Sequence, residues 1–228
     1  MKMDAIIQAR MSSQRYPGKV LHKVAGKPML QYLLERLDHC HSLNHIVVAT
    51  STEDSDTPLA DFCRQRGVEC YRGPLVNVAG RFREVLDMYQ FDGFVRVNGD
   101  SPLLDQQLID KGVEIFLKGD FDLVTNVLPR TYPHGQSVEV MRADAFRQGY
   151  QSMQNAQDLE HVTRFFYKHQ YDFRIHNFAL EDNCSGMRFC VDTEQDLNVF
   201  TEMVARMEKP HWHYNLPEMI QIYSEIIQ

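Results

Sequence analysis

The sequence predicts an α/β fold in which a mostly parallel sheet lies between layers of helices. Short β-rich runs alternate with helical patterns along the first half of the chain. The earliest runs are apolar on consecutive residues, as strands buried on both faces are. After residue 127 an alternating segment typical of an antiparallel strand appears. Alternating strands and helices imply right-handed βαβ crossovers, so we expect a doubly wound sheet with an inserted antiparallel subregion.

The first half carries five predicted strands and three predicted helices. The strands are expected at residues 4–9, 45–50, 68–73, 93–99 and 121–126. The helix at 27–40 places its leucines on one stripe, with Pro28 suited to a first turn. The helix at 57–67 ends in a glycine, and the helix at 78–90 carries a further apolar stripe.

The second half mixes short strands with helices. Residues 137–142 alternate like an antiparallel strand, and residues 173–178 are its candidate partner. Residues 187–191 are predicted as another strand, followed by a helix from Thr193 whose N-cap is supported by Asp196. Further helical stretches are expected at 143–153, 157–168 and 215–227.

The composition is that of one globular domain. The chain has 228 residues, of which 43% are hydrophobic and 24% charged. Its formal charge of −7 argues against a nucleic-acid partner, because such affinity comes largely from neutralising phosphates. No apolar run approaches the ~20 residues needed to span a bilayer, and the amino end lacks a signal-peptide core. The five cysteines form no CxxC pair. We therefore expect a cytoplasmic single domain over residues 1–228 with reduced thiols and no membrane partner.

A cationic loop follows the first predicted strand. In "IIQARMSSQRYPGKV", residues 6–20, Arg10, Arg15 and Lys19 stand among small residues and a Pro-Gly turn. Ligands of doubly wound sheets bind at the carboxyl ends of the strands, where this loop begins. Small residues let backbone N–H groups approach an anion, and the three cations add full charges. The loop is neither a Walker loop nor a GxGxxG loop. It is expected to bind a triphosphate, with a solvated basic loop as the alternative.

Two aspartates follow later predicted strands. Asp100 stands in "RVNGDSPLLD" and Asp192 in "FCVDTEQDL". A carboxylate beside a polyphosphate is repulsive unless a divalent cation lies between them. The two aspartates are therefore candidate ligands of one Mg²⁺. The alternative is that each only caps a local turn, Asp100 before Pro102 and Asp192 before the following helix.

Several stretches together resemble a known family. "IIQARMSSQRYPGKVL", "VNGDSPLLD" and "VDTEQDL", in this order and approximate spacing, resemble the spore-coat polysaccharide cytidylyltransferase-like family. That family is a branch of the CMP-sugar synthetases, with the acylneuraminate and CMP-Kdo cytidylyltransferases. The stretches "ATST", "LPRTYPHGQSVEV" and "EHVT" match as well, so the resemblance covers nearly the whole chain.

The resemblance implies a fold, a reaction and a partner state. The fold would be the three-layer α/β/α, Rossmann-like fold of nucleotide-diphospho-sugar transferases. The enzyme would transfer CMP from CTP to a small acidic sugar, with Mg²⁺ as cofactor and release of pyrophosphate, for surface polysaccharide biosynthesis. Relatives commonly dimerise through the inserted region, which makes residues 128–180 the candidate substrate and homodimer subregion.

The resemblance also implies roles for individual residues. Arg10, Lys19 and Asp100 would carry catalysis, and Asp100 and Asp192 would bind the metal. The nucleotide-binding residues would be Ala9, Arg10, Ser12, Ser13, Arg15, Lys19, Ala49, Thr50, Ser51, Arg81, Asn98 and Gly99. By analogy the acceptor carries a carboxylate, for which Arg130, His134 and Arg164 are available cations, while Tyr132 or Glu139 could bind its hydroxyls.

The chain departs from the family pattern at three places. Ser12 stands where a glycine is common, which restricts the backbone of the loop. The usual "VLDRY" is "VAGRF" at residues 78–82, and Ser137 stands where many relatives have an aspartate. Two other readings therefore stay open. One is a nucleotidyltransferase or glycosyltransferase with a different acceptor, and the other is a noncatalytic nucleotide-binding module.

Overall fold

The computed structural model describes residues 3–227, and its centre is a seven-stranded sheet. Its strands are β1 (Met3–Gln8), β4 (Leu43–Ser51), β5 (Glu69–Gly73), β6 (Gly93–Asn98), β7 (Leu123–Thr125), β8 (Glu139–Arg142) and β9 (Ile175–Asn177). A separate two-stranded sheet consists of β2 (Lys23–Val24) and β3 (Lys27–Pro28). The strand order is β5-β4-β1-β6-β8-β7-β9. Of these seven strands β8 alone is antiparallel to its neighbours β6 and β7, as the alternating segment predicted.

Helices cover both faces of the sheet, which confirms the predicted three-layer α/β/α fold. They are α1 (Met29–Leu37), α2 (Thr57–Arg66), α3 (Val78–Tyr89), α4 (Gln106–Lys118), α5 (Ala143–Ser152), α6 (Ala156–Glu160), α7 (Arg164–Lys168), α8 (Glu194–Ala205) and α9 (Leu216–Ile227). Within residues 3–227, none of the helices combines the length and the apolar character that crossing a bilayer requires.

Alternating side chains of each strand divide the core in two. Ile6 of β1 packs on the α3 and α5 side with Phe94, whereas Ile7 packs on the α1 and α4 side with Val95. All four side chains are fully buried. Burial on both faces explains why these strands are apolar on consecutive residues.

Three predictions about individual elements are wrong. Residues 173–178 do not pair with β8, because β9 pairs in parallel with β7 and lies at the edge of the sheet. Residues 187–191 form no strand and make only an isolated bridge between His134 and Arg188. The helix predicted at 157–168 is two short helices, α6 and α7, separated around His161. Helix α4, which the sequence patterns had not marked, fills the connection between β6 and β7.

The capping prediction at Thr193 is confirmed. Its side chain accepts a hydrogen bond from the Asp196 backbone N–H, and Asp196 accepts one from the Thr193 N–H in return. This capping box begins α8 at Glu194. It also fixes the backbone immediately after Asp192, whose own N–H donates to the Asp196 carboxylate at 2.9 Å.

A buried cluster of hydrogen bonds ties the carboxyl-terminal segment to α1. Three groups of Arg36 donate to the carbonyls of Leu104, His211 and Tyr214. The His211 ring nitrogen Nε2 lies 2.9 Å from a carboxylate oxygen of Glu35. Burial, only partly offset by the hydrogen bond to Glu35, lowers the pKa of His211 to about 4.

We expect this histidine to make stability depend on pH. An unfolded chain takes up a proton at His211 near pH 6.5, whereas the folded chain resists it down to about pH 4. The free energy of unfolding should therefore fall by about 2 kcal/mol between pH 7 and pH 5 through this residue. The pKa of the Glu35 carboxyl is about 2 in the folded chain, so this group changes the free energy of unfolding with pH only below about pH 4.5. Urea unfolding at pH 5 and pH 7 checks this: His211→Gln should lose that difference and the exposed-site control His41→Gln should keep it. Equal pH dependence in both variants would contradict the assignment.

Candidate active site

A polar cavity of about 480 Å³ opens at the carboxyl ends of β1 and β6. We call it the first cavity. It is lined by residues of β1 and the cationic loop, by α3, by Asp100 after β6, by the end of α6 with His161, and by Asp192 before α8. Its side chains of either charge are Arg10, Arg15, Lys19, Arg81, Asp100, Glu160 and Asp192. This volume is within the usual range of ligand sites.

The ends of β1 and β6 are held in close contact. The Gly99 N–H donates to the Gln8 carbonyl at 2.9 Å. A Cβ at position 99 would lie 2.8 Å from the Ala9 Cβ, so any side chain there would force the two strand ends apart. The glycine therefore allows the loop after β6 to bring Asp100 beside the loop after β1.

The cationic loop is closed by its own backbone and by one buried carboxylate. The Gly18 N–H donates to the Met11 carbonyl at 2.8 Å, and Gly18 adopts a left-handed φ of 75°. The Met11 N–H donates at 2.6 Å to Asp56, which also accepts from the Ser51 N–H at 3.0 Å. The turn then begins a short 3-10 segment at Lys19. The loop is thereby fixed to β4 and aims the Lys19 side chain into the first cavity.

Lys19 joins the two aspartates predicted as metal ligands. Its ammonium nitrogen lies 2.9 Å from an Asp100 carboxylate oxygen, 3.0 Å from an Asp192 oxygen and 2.7 Å from the Val191 carbonyl oxygen. Burial would lower the pKa of Lys19, but the Asp100 and Asp192 carboxylates outweigh it and raise the pKa above its usual value. The two aspartates, far apart in sequence, thus share one cation.

Two arginines hold Asp192 from other directions. Arg15 contacts the same carboxylate oxygen as Lys19, at 3.0 Å, and Arg188 contacts the other oxygen at 3.0 Å. Burial raises the pKa of Asp192, but hydrogen bonding and charge from Lys19, with the two arginines, leave it below its ordinary value. Arg188 was not predicted as a site residue. Arg188 stands four residues before Asp192 in a run that the sequence predicts as a strand. The contact between the two side chains becomes apparent only in the structure, where this run is irregular.

Arg81 is a buried cation with two donor atoms left unsatisfied by residues 3–227. It is only 2% exposed, and its Nε and Nη1 atoms have no hydrogen-bond acceptor among the described residues. Burial lowers its pKa to about 10, although Asp56 acts in the opposite direction. A buried guanidinium with unsatisfied donors is costly. Because Arg81 lines the first cavity, an anion bound there would interact favourably with its charge.

A second, smaller cavity of about 270 Å³ lies beside the first. We call it the second cavity. Its polar side chains are Arg96, Asn98, Arg130, Ser137, Glu139, His161, Thr163, Arg164 and Tyr167. Arg130 donates to the Ser137 hydroxyl at 3.0 Å, while its buried Nη1 has no partner among residues 3–227.

Glu139 is part of the wall of the second cavity rather than a free acceptor. It is 3% exposed, pairs with Arg96 and accepts a hydrogen bond from the Tyr167 hydroxyl. Burial raises its pKa, but Arg96 and Tyr167 leave it below the ordinary value. Arg96 also donates to the Gln8 side chain at 3.0 Å, so this network connects the two cavities. A lone arginine in the otherwise apolar run "FVRVNG" was the signal that could have identified Arg96.

Several predicted site residues lie outside both cavities. Tyr132 is fully buried and packs edge-on against Phe178, so its hydroxyl does not reach either cavity. His134 bonds through its backbone to Met187 and Phe189 and lines neither cavity. Predicted nucleotide residues that line neither cavity are Ser12, Ala49, Thr50, Ser51 and Gly99, whereas Asn98 lines the second cavity. Ala9 and Ser13 do line it.

The donor set suits a metal bound together with a ligand. No group of three or more His, Cys, Asp or Glu side chains within residues 3–227 could hold an ion alone. Asp100 and Asp192 provide two carboxylates, and Mg²⁺ is commonly held by one or two carboxylates plus substrate phosphates. These residues therefore fit Mg²⁺ in the presence of a polyphosphate.

Cations and carboxylates that meet at the ends of parallel strands suit a protein that binds a phosphate-bearing ligand, and the family match makes this chain a nucleotidyltransferase. The chain belongs to the cytidylyltransferase family, whose model matches residues 5–220. It is 35% identical over 207 residues to an uncharacterized protein of Methanocaldococcus jannaschii, covering 89% of this chain and 83% of that protein. It is 27% identical over 203 residues to the spore coat polysaccharide biosynthesis protein SpsF of Bacillus subtilis, covering 84% and 81%.

Solved structures share the same fold. A cytidylyltransferase from Leptospira borgpetersenii superposes with a TM-score of 0.94 at 24% identity, covering 100% of this chain and 95% of that chain. A CMP-2-keto-3-deoxy-manno-octonic acid synthetase complexed with CTP superposes with a TM-score of 0.70 at 18% identity, covering 90% and 99%. The resemblance read from the motifs and the predicted fold are thereby confirmed.

Proposed function

We propose that this enzyme transfers CMP from CTP to a small sugar acid and releases pyrophosphate, in surface polysaccharide biosynthesis. The observation that carries the proposal is the contact of one buried lysine with two aspartates inside a cavity that three arginines also line. The family model supports cytidylyl transfer. Relatives named for spore coat polysaccharide biosynthesis and as 3-deoxy-manno-octulosonate cytidylyltransferases support the pathway and the acid acceptor.

The triphosphate is assigned to the cationic loop. Arg10, Arg15 and Lys19 offset charge that builds on the departing pyrophosphate, and Ser13 lies among them on the wall of the first cavity. Arg81 lines the same cavity and is assigned to the nucleotide. The attraction between these cations and a phosphate is stronger in a cleft partly shielded from water than at the surface, because the effective dielectric constant is lower there.

Asp100 and Asp192 would hold Mg²⁺ at this position. When bound, the ion would neutralise phosphoryl oxygens and promote ionisation of the attacking hydroxyl. The protein's own contribution is to place both carboxylates around one point, with Lys19 and Arg188 fixing their orientation. The reaction is an in-line displacement at the α-phosphorus, so positioning and charge do most of the work.

The acceptor is assigned to the second cavity. Arg130 lines this cavity, and among residues 3–227 its side chain hydrogen-bonds only to Ser137, which is uncharged. Arg164 lies on the same wall. A carboxylate on the acceptor would satisfy these donors better than a neutral group, because charge-assisted hydrogen bonds are about twice as strong as neutral ones.

We expect Arg130→Gln to weaken use of an acidic acceptor by about 10- to 100-fold in KM, the effect of one charged hydrogen bond. The measurement compares a panel of sugar acids with their reduced, uncharged counterparts, using wild type, Arg130→Gln and the exposed-site control Arg64→Gln. The wild type and the control should discriminate between acid and alcohol, and Arg130→Gln should not. Equal use of both acceptor forms by the wild type would contradict the carboxylate assignment.

The function itself is tested by pyrophosphate release with each of the four nucleoside triphosphates against the same acceptor panel. CTP with a sugar acid should give the highest rate. Turnover on other acceptors alone would favour a nucleotidyltransferase or glycosyltransferase of different specificity. Tight CTP binding without turnover on any acceptor would favour a noncatalytic module.

We also propose that the enzyme acts in the cytoplasm as a homodimer joined through residues 128–180. Edge strand β9 lies within that range and offers unpaired backbone groups at the rim of the sheet. Tyr171, in the same range, is 94% exposed, which suits a residue covered by a second copy.

A further inference from the structure

His161 lies where the two cavities meet. It lines the first cavity with Arg10 and Asp100 and the second cavity with Arg130 and Glu139. Within the described part of the chain, no other residue belongs to both linings. A group that bridges a nucleotide in the first cavity and an acceptor in the second therefore passes this side chain.

The backbone at His161 is fixed although its side chain is exposed. Its N–H donates to the Gln157 carbonyl at 2.9 Å, and its carbonyl accepts from the Arg164 N–H at 2.6 Å. The next residue, Val162, is fully buried in the core on the α3 and α5 side. The ring is thus carried by a short, anchored connection between α6 and α7.

Other proton acceptors around the cavities are already paired. Asp100 and Asp192 are held by Lys19, and Glu160 pairs with Arg10 at 3.4 Å. In the second cavity Glu139 is held by Arg96 and by the hydroxyl of Tyr167. The His161 ring makes no hydrogen bond or ion pair with any residue in 3–227. It is the available base at the junction.

We propose that His161 is a catalytic residue that contacts the attacking hydroxyl of the acceptor. This inference rests on the proposed cytidylyl transfer. As the hydroxyl oxygen bonds to the α-phosphorus, its proton passes to a His161 ring nitrogen and the bond from phosphorus to pyrophosphate breaks. The imidazolium then returns the proton to water. Proton uptake of this kind contributes typically 10²- to 10⁴-fold to a rate.

A pH profile of kcat can report on His161 only if the other groups that line the two cavities keep their charge over the same pH range. The charged and titratable side chains that line the two cavities with it are Arg10, Arg15, Lys19, Arg81, Arg96, Asp100, Arg130, Glu139, Glu160, Arg164, Tyr167 and Asp192. Carboxylates and guanidinium groups do not ordinarily change charge between pH 5 and pH 8, whereas an imidazole does. Burial and Glu139 raise the pKa of Tyr167 well above its usual value, so it does not titrate there either.

The test compares His161→Gln and His161→Ala with wild type and with His41→Gln, an exposed histidine outside both cavities. We expect kcat to fall about 100-fold in both His161 variants, with the CTP dissociation constant unchanged in calorimetry. The wild type and His41→Gln should lose kcat towards pH 5, and His161→Gln should lack this acid limb. Glutamine can orient a hydroxyl but cannot take its proton, so it separates orientation from proton transfer.

A wild-type kcat in His161→Gln, with or without a changed KM, would overturn the proton-transfer role. An unchanged acid limb in that variant would do the same. Failure of the wild type to release pyrophosphate with any acceptor would overturn the proposed function and this inference together. If the wild type turned over normally and both His161 variants did so at the same rate, this inference would be overturned and the proposed function would stand.

Discussion

Asp100→Asn is expected to reduce turnover at least ~100-fold, the scale of losing one electrostatic stabiliser. The substitution keeps the shape of the side chain but removes the negative charge assigned to Mg²⁺ and to the ammonium of Lys19. The carboxyl is 29% exposed on the wall of the cleft, and Lys19 keeps its contacts with Asp192 and Val191. The fold should therefore survive, as circular dichroism and thermal unfolding can check.

The matched control is Asp144→Asn, because Asp144 is 89% exposed and its carboxylate pairs with Arg147 near the surface. Steady-state pyrophosphate release should be near normal in this control. Near-normal release by Asp100→Asn as well would refute the metal-binding role of Asp100.

Lys19→Met is expected to have the second large effect, with turnover reduced by ~100-fold or more and CTP bound more weakly. The Lys19 side chain is 7% exposed and donates to two carboxylates and one carbonyl. Its removal leaves Asp100 and Asp192 facing each other without the cation between them. The free energy of unfolding should fall by about 1–3 kcal/mol for the same reason.

Lys118→Met serves as the control, since Lys118 is exposed on α4 and its ammonium pairs with the exposed Glu114. Calorimetric titration with CTP and urea unfolding of both variants separate binding from stability. If Lys19→Met bound CTP and turned over as Lys118→Met does, Lys19 would have no part in holding the triphosphate.

The layered fold was predictable because its strands are buried on both faces. Ile6 and Ile7 pack on opposite sides of one sheet, and strands buried on both faces carry apolar residues at consecutive positions. The partner of residues 173–178 was not predictable, because a three-residue strand at a sheet edge carries little pattern of its own. The run at 187–191 is strand-like in composition, but its backbone bonds to His134 and Asp100 and not to a neighbouring strand.

The first cavity was predictable to the extent that strand ends meet at one edge of a parallel sheet. That rule, with the charges of the loop, brought Lys19, Asp100 and Asp192 together correctly. The second cavity was less predictable, because its walls come from the irregular segment after residue 127. Tyr132 looked available for a ligand, yet its ring fills the core. Burial of this kind depends on packing between distant segments and leaves no local pattern.

A crystal structure of the protein with CTP and Mg²⁺ tests the central claim most directly. The account predicts a triphosphate in the first cavity in contact with Arg10, Arg15 and Lys19, and one metal ion shared by Asp100 and Asp192. CTP bound elsewhere on the surface, or bound in this cavity with both aspartates remote from its phosphates, would contradict it.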